Sequence, residues 1–592
     1  MNMYITECGA VADGVTMSTD AINATINKVA EAGGGYAMVP PGEYVSGTIV
    51  LKSNVYLYLE PGATIYGSMD INDFTAATKR IGCKTMVLAE DLVNTGILGH
   101  GTLDLRRQGL GYTAEHGRPC LVVLVDCENI TLRGVSLINT GFFTIYSGHN
   151  TNATFDSLII NSEDCDNGDG IDFSGSKNVT ISNCKIRAWD DAIGLKTHRP
   201  DAPCENFTIT NCVLSSNWAG VRLGPETCGD MINISISNCV FNDCSDGIKV
   251  QLCENYRMED LTFSNLNMVH VLRPFFFTSS SCPMSGCSEG SRPRPGVFKR
   301  VLINNVIAHM TDEKRKNWFE HMIVINGLPD AYIEDVMISN MHVVAPGGRA
   351  DDGSSAENEE LINYTNYPDL VFQWEPYPGS CMYIRNAARV RLTNCVFETT
   401  LPDERPAIAA QAVNGLKIVN SEAYGGLKLL RHHRVDGLKV TECVGDVVEE
   451  TPEYKERWDA FRDYSVRLEE GIIKNAALTD KVRVMNKVMS YTATEESEAE
   501  FTFDYPGEEA YLYMNSICGS PRVWLNGKEI YFWNRWERVD DSFYATRIPV
   551  AVELTGALKE GENTIKVKLE GLHNDFGNKN LLIMAPNKEQ AK

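Results

Sequence analysis

No stretch of this chain approaches the ~18 consecutive apolar residues that a membrane-spanning helix needs, so no membrane partner is expected. Positive charge is scarce: 54 Lys and Arg face 78 Asp and Glu, a formal net charge of -24. Such an acidic surface repels phosphate backbones and argues against nucleic acid as a partner. It also disfavours a long polyanionic substrate unless basic residues gather it locally. The opening MNMYITECGAVADG shows no basic segment followed by an apolar one; no secretion signal is read, and a cytoplasmic location is expected. Neither CxxC nor HExxH occurs among the 18 cysteines and 11 histidines. Buried reduced thiols are therefore expected rather than a metal site, and no cofactor is implied.

What is present describes a folded protein, with 43% hydrophobic and 22% charged residues. At 592 residues the chain exceeds one ordinary compact core, so several units or one elongated repeat are expected. Ser18 and Thr19 can cap a helix with an apolar stripe at Ile22, Ile26 and Val29, ended by Gly33, Gly34 and Gly35. Short β-type runs follow, YAMV and NVYLYL, parted by PPGEY and EPGA turns. Then a repeat takes over: NVTISNC at Asn178, NFTITNC at Asn206 and NISISNC at Asn233, spaced by 28 and 27 residues. Weaker copies begin at Asn129, Asp260, Asp335, Val390 and Gly415. Short alternating strands at this period, without helices between them, predict a β-solenoid. Like residues then stack on successive coils: Asn amides at the turns, Cys in the core, and the first helix over the open end.

The rows DGIDF at Asp169, DAIGL at Asp191, AGVRL at Ala219 and DGIKV at Asp246 align when the coils are stacked. Their third and fifth residues are apolar and point inward. Asp172, Gly194, Arg222 and Lys249 then face out, as do Ser174, Lys196, Gly224 and Gln251 two residues on. The row starts are expected at a bend before each strand, where they reach solvent. Asp169, Asp190 and Asp191 thus share a polar patch with Lys196, Arg222 and Lys249. Carboxylates that crowd one another suit acid–base chemistry, since repulsion keeps one of them protonated. Glycoside hydrolysis needs one acid and one base. Solenoid turns also favour Asp for structural reasons or for calcium, and spacing alone leaves these readings open.

The ordered motifs CGAVADGVTMSTDAIN, GGGYAMVPPGEYVSGTIVLKSNVYLYLEPGATI, ILGHGTLD, NGDGID and WDDAIGLK resemble glycoside hydrolase family 28, the polygalacturonase group, across roughly Ile5 to Gly425. The resemblance implies a right-handed parallel β-helix and an inverting hydrolase. It assigns Asp190 as general acid and gives Asp169 and Asp191 the task of positioning and deprotonating water. Two motifs depart from the family. Its GHG reads WAG, which puts Ala219 where His is expected; its RIK reads KVQ, with Lys249 and Gln251. The family's Thr before the first Asp is Gly168. Lys does not replace a bidentate Arg, so the expected substrate is a terminal neutral or deoxy sugar on a plant-derived, pectic-type oligosaccharide. The alternative is an exo-polygalacturonase in which Arg222 compensates. Candidate substrate-binding residues are Asp172, Lys196, Trp218, Arg222, Lys249 and Gln251.

The other signals are weaker. Phe142, Phe143 and Trp218 offer faces for a sugar, but aromatics in a solenoid are more often core. His116, Arg118, His149 and His198 lie in turns and read as surface residues. The insertion Arg273–Pro295 suits a wall that limits attack to chain ends; Cys282 and Cys287 within it are expected to stay reduced. The expected domains are a β-helix over 1–445, a helical connector over 446–480 and a C-terminal β-sandwich over 481–592. The last segment's LNGKEI and LKEGENTIKV resemble galactose-binding-like modules, for which packing or homo-oligomerisation is expected rather than sugar binding. Two other classes compete with the hydrolase: a β-helix lyase or epimerase, which would want a Lys or Arg base or a calcium cluster, and a non-catalytic carbohydrate-binding β-helix.

Overall fold

The computed structural model describes residues 1–78, 82–107, 118–253, 256–279, 296–311, 321–328, 331–349 and 378–449, and in the last part 483–486, 497–505, 510–517, 520–532, 548–553, 558–559, 561–570 and 581–586. Two compact units result. The first comprises Met1–Asp352 and Pro376–Thr451, the second Gly353–Glu375 and Pro452–Lys592.

The first unit is a parallel β-helix whose coils stack strand upon strand. One ladder climbs through Val93–Gly99, Glu128–Arg133, Thr151–Asp156, Lys177–Ser182, Cys204–Thr210 and Met231–Ser237. A second runs through Ile159–Ser162 and Lys185–Ala188 into the long strand Val213–Thr227. The third carries Cys120–Val125, Ile145–Gly148, Ile171–Ser174 and Ile193–Thr197, and continues in Val213–Thr227 and Val240–Leu252.

Alternation dictates what lies inside. Val179 and Ile181, Phe207 and Ile209, and Ile234 and Ile236 are buried in one continuous core. Between coils the chain turns through Asn178, Asn206 and Asn233 at φ 56, 60 and 58, a left-handed conformation that Asn tolerates. Their amides form the expected ladder. Asn206 donates to Asn178 Oδ1 at 2.9 Å and Asn233 donates to Asn206 Oδ1 at 2.7 Å. Cys184, Cys212 and Cys239 are buried free thiols. Cys228 departs from the all-thiol expectation, being disulfide-bonded.

The helix Thr19–Glu31 buries Ile22, Ile26 and Val29 in the same core as Ala37 and Val39 of the first coils. Among the described residues no helix is long and apolar enough to cross a membrane. The expected helical connector over 446–480 lies almost wholly outside the described residues. Its start is instead a strand, Val447–Glu449, paired with Leu430–Asp436.

In the second unit, two four-stranded antiparallel sheets are described. One of them contains the hairpin of Ser520–Leu525 and Lys528–Phe532. It turns at Asn526 and Gly527 with φ 51 and 81, the positive pair that an Asn-Gly turn supplies.

Candidate active site

The row alignment read from the sequence is the register of the structure. Asp172 pairs with Gly194, Gly194 with Arg222 and Arg222 with Lys249 on successive coils. Gly194 has a steric reason: a Cβ there would meet Asp172 Oδ1 at 2.3 Å. Asp169 and Asp191 stand at the matching bends, joined through the Gly170 N–H donating to the Asp191 carbonyl at 2.9 Å. The bend at Asp190 is pinned from the next coil, where Ser216 Oγ donates to the Asp190 carbonyl and accepts from the Trp218 N–H at 2.8 Å.

Asp169, Asp190 and Asp191 each present a carboxylate oxygen within 4.8 Å of the others. The expected solvent access is not found. Asp169, Asp191 and Asp190 are only 2%, 1% and 7% exposed, because neighbouring coils and side chains close over the bends. Lys196 Nζ lies 3.4 Å from Asp169 and 3.0 Å from Asp172. Arg222 Nη1 donates to Asp191 Oδ2 at 3.3 Å, and Nη2 to Gln251 Oε1 at 2.9 Å. The Ala219 N–H, where the family resemblance expects His, donates to Asp191 Oδ1 at 3.2 Å.

These surroundings set the charges. Burial pushes Asp190 up to about 6, with the Asp191 carboxylate adding to the rise and Arg222 and Lys196 opposing it. Burial holds Asp169 well above the ordinary carboxylate range against the pull of Lys196, with Asp190, Asp172 and Asp191 adding. Asp172 is pushed up to about 7, again chiefly by burial and against Lys196. For Lys196 burial works against the charge, but Asp172, Asp169 and Glu226 outweigh it and hold the ammonium well above its usual range. The cluster therefore holds protons near neutrality beside a carboxylate that accepts hydrogen bonds on both oxygens. A divalent cation tolerates such spacing too, but Lys196 and Arg222 already set positive charge against the same oxygens.

Other residues complete the picture. Lys249 is brought to the next coil but is fully buried, 3.1 Å from Asp246, which Arg273 also grips at 2.5 and 2.7 Å. Its Nζ lies 5.5 Å from the Trp218 ring. Phe142 and Phe143 are half-buried and stack at 4.1 Å, with Lys196 5.2 Å from the Phe143 ring. His198 bonds Ser174 Oγ at 2.8 Å, and His149 stands 3.9 Å from Asp126. His116, Cys282 and Cys287 lie outside the described residues, as does the insertion from residue 280 onward.

Sequence reasoning missed Glu226. Register shifts between Leu195, which pairs with Leu223, and Thr197, which pairs with Thr227. Three residues, Gly224, Pro225 and Glu226, thus stand opposite Lys196 alone and form a bulge. Burial works against the Glu226 charge, but Lys196, Arg222 and His198 hold it ionised below the usual range. A Gly-Pro pair inside an apolar run was the available signal.

A parallel β-helix with three carboxylates gathered on one sheet defines a class of carbohydrate-active scaffold. The family model described as glycosyl hydrolases family 28 matches residues 37–359, and the chain belongs to that family. It is 24% identical over 258 residues to an endo-polygalacturonase of Pectobacterium carotovorum subsp. carotovorum, covering 39% of this chain and 64% of that one. To an exo-poly-alpha-D-galacturonosidase of Dickeya chrysanthemi it is 23% identical over 310 residues, 42% and 51% of the two chains. The chain thus spans less than two thirds of the length of these curated relatives. The crystal structure of a hyperthermoactive exopolygalacturonase from Thermotoga maritima shares the fold, with TM-score 0.53 and 19% identity over 67% of this chain and 91% of that one.

Proposed function

We propose that the protein is an inverting glycoside hydrolase that releases galacturonate from the ends of pectic oligosaccharides. The three aspartates, each with a carboxylate oxygen within 4.8 Å of the others, carry the hydrolase reading, and its exo part is supported by the exo-acting relative from Dickeya chrysanthemi. Asp190, raised to about 6, donates its proton to the glycosidic oxygen. Asp191, held by Arg222 and the Ala219 N–H, takes the proton of a water that Asp169 helps to place. Lys196 and Arg222 supply local positive charge for a uronate. The named activities of the matched relatives, both on polygalacturonate, also put galacturonate ahead of the neutral or deoxy sugar expected from the altered motifs.

The nearest carboxylate oxygens lie within 4.8 Å of one another, closer than the roughly 6.5–9.5 Å usual between carboxyl groups of inverting pairs. Inversion therefore rests on the family, not on spacing. Incubation with trigalacturonate and with polygalacturonate tests the exo reading: galacturonate should be the first product, with little early loss of polymer viscosity. A fast fall in viscosity with larger fragments contradicts it.

A further inference from the structure

Arg118 read as a surface residue in the sequence, but the structure turns it toward the acid. Its guanidinium carbon lies 4.4 Å from the Phe142 ring centroid. Nη1 donates to the Asp166 carbonyl at 2.5 Å, and Nη2 donates to Asn167 Oδ1 at 3.0 Å. The other end of that amide, Nδ2, faces Asp190 Oδ2 at 3.4 Å. A guanidinium has donors only. It therefore decides which end of the Asn167 amide points to it, and leaves the NH2 group for the carboxylate.

We propose that Arg118 is a positioning residue, locking the Asn167 side chain so that its NH2 group, and not its carbonyl, meets the Asp190 carboxylate. The inference rests on the reading of Asp190 as the acid. Without Arg118 the amide is free to rotate and to present an acceptor, which favours a protonated Asp190. Several other groups already act on that carboxyl: Asp191 and its N–H on the same segment, Asp169 from the preceding coil, Lys196 from Ile193–Thr197, and Arg222 from the next coil. The 3.4 Å contact is long, so the effect is modest. It is nevertheless directional: it ties one conformer of Asn167 to the ionisation of one carboxyl.

The test uses the full chain carrying [4-13C]Asp, with the Asp190 carboxyl signal assigned by its loss in Asp190→Asn. Arg118→Met should move the Asp190 titration upward by roughly half a unit to one unit, and shift the basic limb of kcat on trigalacturonate the same way. Asn167→Gly keeps the left-handed turn at φ 53 and removes the amide, so it should produce the same upward shift. Adding Arg118→Met to Asn167→Gly should then move the titration by less than half of its effect alone. An unmoved titration in Arg118→Met overturns the proposal, and so does full additivity of the two changes, which would mean that charge alone acts. Because the titration needs no substrate, an enzyme inert toward pectic oligosaccharides whose titration shifts as expected refutes the galacturonate reading and leaves this one standing.

Discussion

Replacing Lys196 by Met removes the ammonium that Asp169 and Asp172 share at 3.4 and 3.0 Å. Breaking a buried ion pair from one side costs about 3–5 kcal/mol, because the partner charge is stranded. The two carboxyls have an escape, since each can take up a proton. Asp172 already titrates at about 7, raised by burial and lowered by Lys196; losing Lys196 drives it further up. A folded-state pKa above the unfolded one means that the native state binds more protons between the two values. Stability therefore falls as pH rises through that window. The loss in Lys196→Met should be small, about 1 kcal/mol, near pH 5, and should approach about 3–5 kcal/mol near pH 8. Urea unfolding of the full chain, followed by tryptophan fluorescence at both pH values, reads the difference between variant and wild type. An equal loss at the two pH values refutes the shared-ammonium reasoning.

Asp190→Asn should lower kcat on trigalacturonate by about 10² or more while leaving the melting temperature nearly unchanged; near-normal turnover contradicts its role as acid. If Asp190 is the acid, kcat should decline as pH rises through about 6, and a rate still level two units higher argues against that role. Arg222→Ala should raise KM for trigalacturonate by roughly tenfold or more, the loss of one charge-assisted hydrogen bond; an unchanged KM removes Arg222 from uronate binding. Asn206→Ala breaks two bonds of the amide ladder and should destabilise the β-helix by about 1–2 kcal/mol, measured by urea unfolding.

The β-helix was legible because its repeat is chemical as well as periodic. Asn at each turn, Cys one step past the next turn and apolar residues at every second position have to superimpose when coils stack. The same logic places Asp172, Arg222 and Lys249 in one column from the sequence alone. Burial was not legible. Alternation shows which way a side chain points from its own sheet but not what folds over it, so Asp169, Asp190 and Asp191 were expected nearer to solvent than they are. Lys249 illustrates the same limit: its place in the column was right, while its partner Asp246 and the neighbouring Arg273 became visible only in three dimensions. Glu226 escaped because a bulge breaks the period on which the alignment depends. Arg118 escaped because its partner Asn167 lies on a different coil, 49 residues away.

The most direct test of the central claim is the anomeric form of galacturonate released from trigalacturonate, followed by 1H NMR from the first turnovers, before mutarotation mixes the anomers. With Asp190 as acid and Asp191 as base acting on water, the first sugar released carries the configuration opposite to that of the bond cleaved. Release with retained configuration would make one of the three aspartates a nucleophile and contradict the account.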